Sequence, residues 1–494
     1  MLSKKANANM LETFVQNFRK TKVYGTAFES VSRSWSWNRF LSDVRKTAQA
    51  LESIRQSQPA TVGIRCADYY HHWVLIFALD RLGLASASFQ NSYGPSFKTY
   101  LDVIKPDFIV TDVALEVGIS HCIVNAKWFS DVFKNKDDYT QHYKSSGFCR
   151  IGVAAGTDVR PHKIGLTQEN IEQNIQQLMT SNILSLSDRP DKENLAVICC
   201  IGIDILAGYQ IVLAALAAGS PVKIIEHVQI ALAVIQQKPI VLVVSPLHLE
   251  YVISSLSPIS RAQENIEVVV VGGRLPVELE NKTKAKLTNK IHILYGTEEA
   301  GVISIKNNDT SFDSNSAGKI LPWMTVEIVD GRDVPLPKGE EGIIRVRGNT
   351  VIKNYLDQDQ YNNKKFKNGW FYPGDIGFLS EENEVFITGR ADSLASFGGD
   401  KFDLRLLDHI LKAYTGIEDA STFSVPDENG VPMPYAAIVC HVDLDGAALS
   451  AQLREKYENL PQLTLIWVDR IPYRSDGEPD RDFLTNGIIR SRQK

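Results

Sequence analysis

The strongest constraint on the fold is a set of short apolar runs that end in turns, most plainly PIVLVVSP at 239–246 and IEVVVVGG at 266–273. Runs that are apolar on both faces suit strands buried within a parallel sheet. ATVGIRC, LASASF and DFIVTD read as further strands, separated by helical stretches. One of these stretches is amphipathic from Trp37 to Ser53, with Phe40, Leu41, Val44, Ala48 and Leu51 at helical spacing; another is HHWVLIFALDRLG, ended by Gly83. Leu195 to Ile225 adds strand, helix and strand. TQENIEQNIQQL reads as a helix opened by Thr167, with Glu169 and Asn170 in its first turn. Alternation of this kind predicts a doubly wound, mostly parallel α/β sheet, which presents ligand sites where its strands end.

A chain of 494 residues is too long for one compact core. Its net charge of −5 gives no basic footprint, so no nucleic-acid partner is expected. The start, MLSKKANANMLETF, lacks an apolar signal core, and no run reaches the ~18 apolar residues that span a bilayer. The most apolar stretch is broken by Asp204, Gly208, Gly219 and Pro221. The six cysteines lack metal-ligand spacing, and the adjacent Cys199 and Cys200 read as small core hydrophobes. A reducing cytoplasm is the expected compartment.

One polar, turn-rich frame stands apart from these runs: GWFYPGDIGFLSEENEVFITGRADSLASFGGDK, from Gly369 to Lys401. Asp375 can accept hydrogen bonds from a ribose diol, Arg390 can donate to ribose or phosphate, and the glycines let a ligand approach the backbone. The same residues also fit ordinary strand ends and surface turns.

The order and spacing of this frame resemble the adenylate-forming superfamily, which includes acyl-CoA synthetases, luciferases and the adenylation domains of peptide synthetases. Its GWF-x-TGD, GR-x-D and GGEKI-like segments correspond to Gly369 to Asp375, Gly389 to Asp392, and Gly398 to Phe402. The resemblance implies a large N-terminal domain, 1–390, of doubly wound sheets plus a small β-barrel, the barrel falling at AGKILPWMTVEIVDGRDVPLPKGEEGIIRVRGNTVIKNYL. It also implies a small mobile α+β domain, 391–494, that rotates about Asp392 between adenylate-forming and thioester-forming poses. The implied cofactors are ATP or AMP and Mg²⁺. A small carboxylic acid or its acyl-adenylate would be the substrate, with coenzyme A or the phosphopantetheine of an acyl carrier protein as acceptor.

Residue by residue, the family's phosphate loop falls on Ala154 to Lys163. Gly156, Thr157 and Lys163 are its phosphate-binding candidates, and Asp158 and Arg160 flank them. Gly272, Gly273 and Arg274 stand at the loop that lines the adenine and acyl pockets; Arg274 can narrow the pocket, bind an anionic substrate or point to solvent. The YG-x-TE segment falls on Tyr295, Gly296, Thr297, Glu298 and Glu299. There Glu299 is the Mg²⁺ candidate, and Glu298, at the threonine position, is a second ligand or a disabling change. Asp204 and Tyr209 are substrate candidates, with capping of the following helix the preferred reading of Asp204. Gly398, Gly399 and Lys401 belong to the loop that helps form the pantetheine tunnel.

The departures cluster at the phosphate end. Two hydroxyl positions of the loop are Ala154 and Ala155, and Asp158 facing a phosphate oxygen would repel it by roughly 4 kcal/mol in a surface-like dielectric. The family's final lysine is Glu478, with Arg474 nearby as a substitute cation. The expected function is therefore an AMP-forming acid–thiol ligase homologue, retaining the whole reaction or only its thioester half. Two alternatives stay open: a catalytically silent binding or scaffold partner of a true ligase, and an adenylation enzyme that passes its acyl group to an amine.

Overall fold

The computed structural model describes residues 11–12, 25–89, 95–145, 147–154, 161–180, 195–225, 239–307, 316–356, 359–390, 394–397, 400–427, 432–441, 444–446, 448–450, 463–473 and 479–492. Among these, two large sheets carry the architecture. In the first the order is His121–Ile123, Phe108–Thr111, Val62–Arg65, Ser86–Ser88, Phe148–Ala154 and His162–Thr167, parallel except for the last pair. The second holds Val222–Lys223, Ala196–Cys199, Ile240–Val244, Ile266–Val271 and Ile291–Thr297 in parallel register. Its central runs are buried throughout, save the half-buried Val271 at a strand end, as strands covered on both faces must be.

The strands of the stretch expected to form a small barrel, Ser316–Ile320, Met324–Val329 and Gly342–Gly348, are joined by antiparallel pairing into this same second sheet. Helices join the two sheets. The Tyr69–Arg81 helix of the first and the Leu206–Ala218 helix of the second bury nearly every side chain, and Trp73 stacks on Tyr209 with centroids 5.7 Å apart. Helix starts follow local chemistry. Thr167 and Asn170 exchange hydrogen bonds at the start of the Gln168–Thr180 helix, the reciprocal cap its sequence predicts.

The C-terminal residues build cores of their own. Leu404, Leu407, Leu411, Ala420, Ile438 and Leu463 form one cluster, and Phe423, Val425, Ala437, Ile471 and Leu484 another. Apart from Leu463 and Ile471, which flank the Thr464–Trp467 strand, they lie on the Leu404–Lys412 helix, a sheet of Ile417–Pro426, Pro432–Cys440 and Thr464–Trp467, and the Arg481–Arg492 helix. No helix among the described residues is long and apolar enough to cross a membrane.

Candidate active site

The Asp375–Arg390 pair assembles through strand register. Asp375 opens the Asp375–Leu379 strand and lies directly opposite Arg390, the last residue of Glu384–Arg390. Antiparallel pairing brings such opposed side chains together. Arg390 donates from Nη1 to Asp375 Oδ1 at 2.8 Å and from Nη2 to the Pro373 carbonyl at 3.2 Å. Tyr295, on the neighbouring Ile291–Thr297 strand, donates its hydroxyl to Asp375 Oδ2 at 2.5 Å. Burial, and then the Asp375 charge, hold the Tyr295 phenol well above its ordinary range, so it stays a donor. A carboxylate has about four acceptor positions, so buried Asp375 retains capacity on both oxygens.

Beyond Tyr295 the chain turns, with Thr297 Oγ1 accepting from the Ala300 N–H at 3.1 Å, and the two glutamates part company. Glu299 is buried, and Tyr355 donates its hydroxyl to Oε1 at 2.6 Å. Glu298 points elsewhere: its Oε2 accepts from the Leu206 N–H at 2.9 Å, capping the Leu206–Ala218 helix from 92 residues away. Burial, followed by the Glu299 charge, pushes the Glu298 carboxyl up to about 8, against the pull of the Leu206 and Ala207 N–H groups. The Thr297–Glu299 turn is thereby tied to the Leu206–Ala218 helix.

One expectation is corrected here, and two further candidates have partners within the fold. Asp204 does not cap the helix: the N-cap is Ile205 with no side-chain bond, and Glu298 serves its first N–H. Tyr209, expected at the substrate, is 1% exposed and packs between Trp73 and the Arg150 guanidinium. Lys163 directs Nζ to the Ile104 carbonyl at 2.6 Å, at the C-terminal end of the Pro95–Ile104 helix, where a cation complements the helix dipole. Arg274 is exposed beside Gly272 and Gly273, and Gly273 packs against Pro246. Gly296 lies against Gly301, whose carbonyl a Cβ would meet at 2.3 Å. Gly156, Thr157, Asp392, Gly398, Gly399, Arg474 and Glu478 lie outside the described residues, and of Lys401 only its place in the Asp400–Asp403 strand is described.

Two features escaped the sequence reading. Tyr355 is the partner of Glu299, and nothing in the stretch VIKNYL marks it. The other is a buried polar chain behind the Leu206–Ala218 helix. Arg150 donates to Ser86 Oγ (3.0 Å), Ser88 Oγ (2.6 Å) and the Ile203 carbonyl (2.9 Å). His72 contacts the Cys66 carbonyl through Nδ1, which must therefore carry the proton, so Nε2 accepts from Ser88. Burial pushes His72 down to about 3 and Arg150 down to about 10, leaving a neutral imidazole and a charged guanidinium at neutral pH.

The AMP-binding enzyme family matches this chain over residues 14–356. The chain belongs to that family. Within it, this AMP-binding enzyme is 24% identical over 416 residues to a putative acyl-CoA ligase, YdaB, of Bacillus subtilis, covering 81% of this chain and 79% of that one. It is 24% identical to 4-coumarate–CoA ligase 5 of Oryza sativa over 321 residues, 62% of this chain and 58% of the relative. Its fold is that of ATP-bound MatB from Rhodopseudomonas palustris, with a TM-score of 0.82 at 18% identity over 97% of this chain and 99% of the other. It also superposes on the o-succinylbenzoate CoA synthetase MenE of Bacillus subtilis in complex with its acyl-adenylate, with a TM-score of 0.81 at 17% identity over 95% and 97% of the two chains. The AMP-binding enzyme is thus an acyl-CoA ligase-like, adenylate-forming protein.

Proposed function

We propose that this AMP-binding enzyme binds an acyl-adenylate and transfers its acyl group to a thiol, with adenylation of the free acid slowed. The observation that carries this reading is the constellation of Asp375, Tyr295 and Arg390. A buried carboxylate held by two fixed donors is preorganised to receive ribose hydroxyls, and Arg390 adds positive charge beside them. In the transfer step the thiol loses its proton to solvent, its sulfur bonds to the acyl carbon, the C–O bond to AMP breaks, and AMP leaves as the anion that this end holds. Residues 391–494 would supply the rotating domain, with Asp392 as hinge and Gly398, Gly399 and Lys401 on the loop brought to the thiol.

The phosphate end supports the slower first half. Glu298 replaces a hydroxyl with a carboxyl bound to a helix end, and Lys163 faces the Ile104 carbonyl. Glu478 stands where the family keeps a lysine. Loss of one preorganised contact of that kind typically costs about 10²–10³ in rate. Glu299 suits Mg²⁺ as a hard oxygen donor. When bound there, the ion would supply neutralisation of phosphate charge. The test is calorimetric: AMP should bind the wild type and lose at least tenfold affinity in Asp375→Ala, while equal binding by both would remove the reading. AMP and ATP binding with no thioester formed from any supplied acyl-adenylate would instead favour a silent binding partner.

A further inference from the structure

The Tyr355 hydroxyl serves no packing purpose that a phenylalanine would not serve equally, yet its position is fixed from every side. Its N–H donates to Asn362 Oδ1 at 2.7 Å, and its carbonyl accepts from Asn362 Nδ2 at 3.0 Å. The ring stacks on His162 with centroids 4.5 Å apart and meets Phe366 edge-on at 5.3 Å. On either side, the Ile352 N–H donates to the Glu299 carbonyl at 2.8 Å and the Leu356 N–H to the Lys163 carbonyl at 2.9 Å. Thr350 Oγ1 donates to the Ala300 carbonyl at 2.8 Å. Residues 350–356 therefore form a strap between the Thr297–Ala300 turn and the strand that follows the phosphate loop. The strap delivers one hydroxyl to one oxygen, Glu299 Oε1, at 2.6 Å, between side chains only 2% and 7% exposed.

We propose that Tyr355 is the positioning residue of the metal carboxylate: its hydroxyl occupies Glu299 Oε1, fixes the carboxylate rotamer, and leaves Oε2 as the oxygen for a divalent cation. Oε2 makes no hydrogen bond to the described residues. A carboxylate that binds a metal through one oxygen is commonly held through the other by an outer partner, and removing such a partner typically weakens metal binding about 10- to 100-fold. Glu298 cannot take over this role while its own carboxyl caps the Leu206–Ala218 helix. The inference rests on the reading of Glu299 as the metal ligand.

The test is Mg²⁺-dependent ATP binding by isothermal calorimetry in wild type, Tyr355→Phe, Glu299→Gln and the double variant. AMP binding without metal and the melting temperature serve as controls. Phenylalanine keeps the contacts with His162 and Phe366 but takes a donor from the buried Glu299 carboxylate, so the melting temperature should fall modestly while the protein stays folded and AMP affinity holds. The Mg²⁺ concentration for half-maximal ATP binding should rise about tenfold in Tyr355→Phe. In Mg²⁺ requirement the double variant should match Glu299→Gln alone, because the proposed effect of the hydroxyl on the metal runs through that carboxylate. An unchanged Mg²⁺ requirement in Tyr355→Phe, with a raised one in Glu299→Gln, overturns the role of Tyr355 alone. An additive double variant overturns it too. An unchanged requirement in Glu299→Gln, or no Mg²⁺-dependent ATP binding by the wild type, overturns the metal reading of Glu299 and the proposal with it.

Discussion

Replacing Glu298 separates two opposing effects. The carboxyl caps the Leu206–Ala218 helix through a 2.9 Å bond to the Leu206 N–H, and it also stands among acids, with Glu299 and Asp204 both raising its proton affinity. Pushed up to about 8, the Glu298 carboxyl carries little charge at pH 7 and gains it only at higher pH; Gln and Ala never carry it, but only Gln keeps an acceptor for the helix. The difference between the two variants therefore isolates the cap. A neutral hydrogen bond of this kind contributes roughly 0.5–1.5 kcal/mol, and an N-cap truncated to Ala typically costs ~1 kcal/mol. Glu298→Ala should thus fall about 1 kcal/mol below Glu298→Gln in stability. Native-state hydrogen exchange reads this locally: the Leu206 and Ala207 amides should exchange about fivefold faster in the Ala variant, with distant core amides unaltered. Equal protection of those two amides in Ala and Gln would refute the capping argument.

Two further outcomes follow from the packing. His72 is held near 3 against an ordinary 6.5, so the unfolded chain binds the extra proton: stability should be independent of this group above pH 6.5 and fall as pH drops towards 3. By pH 5 the loss is about 2 kcal/mol. Urea melts of wild type and His72→Gln at pH 7 and pH 5 check it: the stability difference between the two proteins should change by about 2 kcal/mol across that range, the wild type losing ground at pH 5. Gly318 has φ +84° and its added Cβ would lie 2.0 Å from the Ile305 carbonyl, so Gly318→Ala should cost upwards of ~2 kcal/mol, seen as a lowered melting temperature. An unaltered melt would show that these strands part easily.

What the sequence discloses, and what it conceals, divides along contact range. Strand runs such as 240–244 and 266–271 declare themselves by composition, and the Thr167–Asn170 cap by a three-residue spacing. Asp375 and Arg390 were legible as types, but their direct pairing depends on the register of the hairpin that joins them. Contacts across 56 and 92 residues, from Tyr355 to Glu299 and from Glu298 to Leu206, have no local signal at all. Asp204 shows the opposite failure. An acid just before a helix reads as its cap, yet a distant glutamate reaches the same N–H group. Tyr209, placed at the substrate by resemblance alone, is claimed by the stack on Trp73 that joins the two helical layers.

The most direct measurement compares the two half-reactions in one preparation: ATP–pyrophosphate exchange with Mg²⁺ over a panel of carboxylic acids, and thioester formation from the matching acyl-adenylates with coenzyme A. An intact AMP end beside an altered phosphate end predicts thioester formation at least ~100-fold faster than exchange for the preferred acyl group. Exchange as fast as thioester formation for any acid would contradict the account and show that the phosphate end, with Glu298 and Glu478 in place, is fully competent.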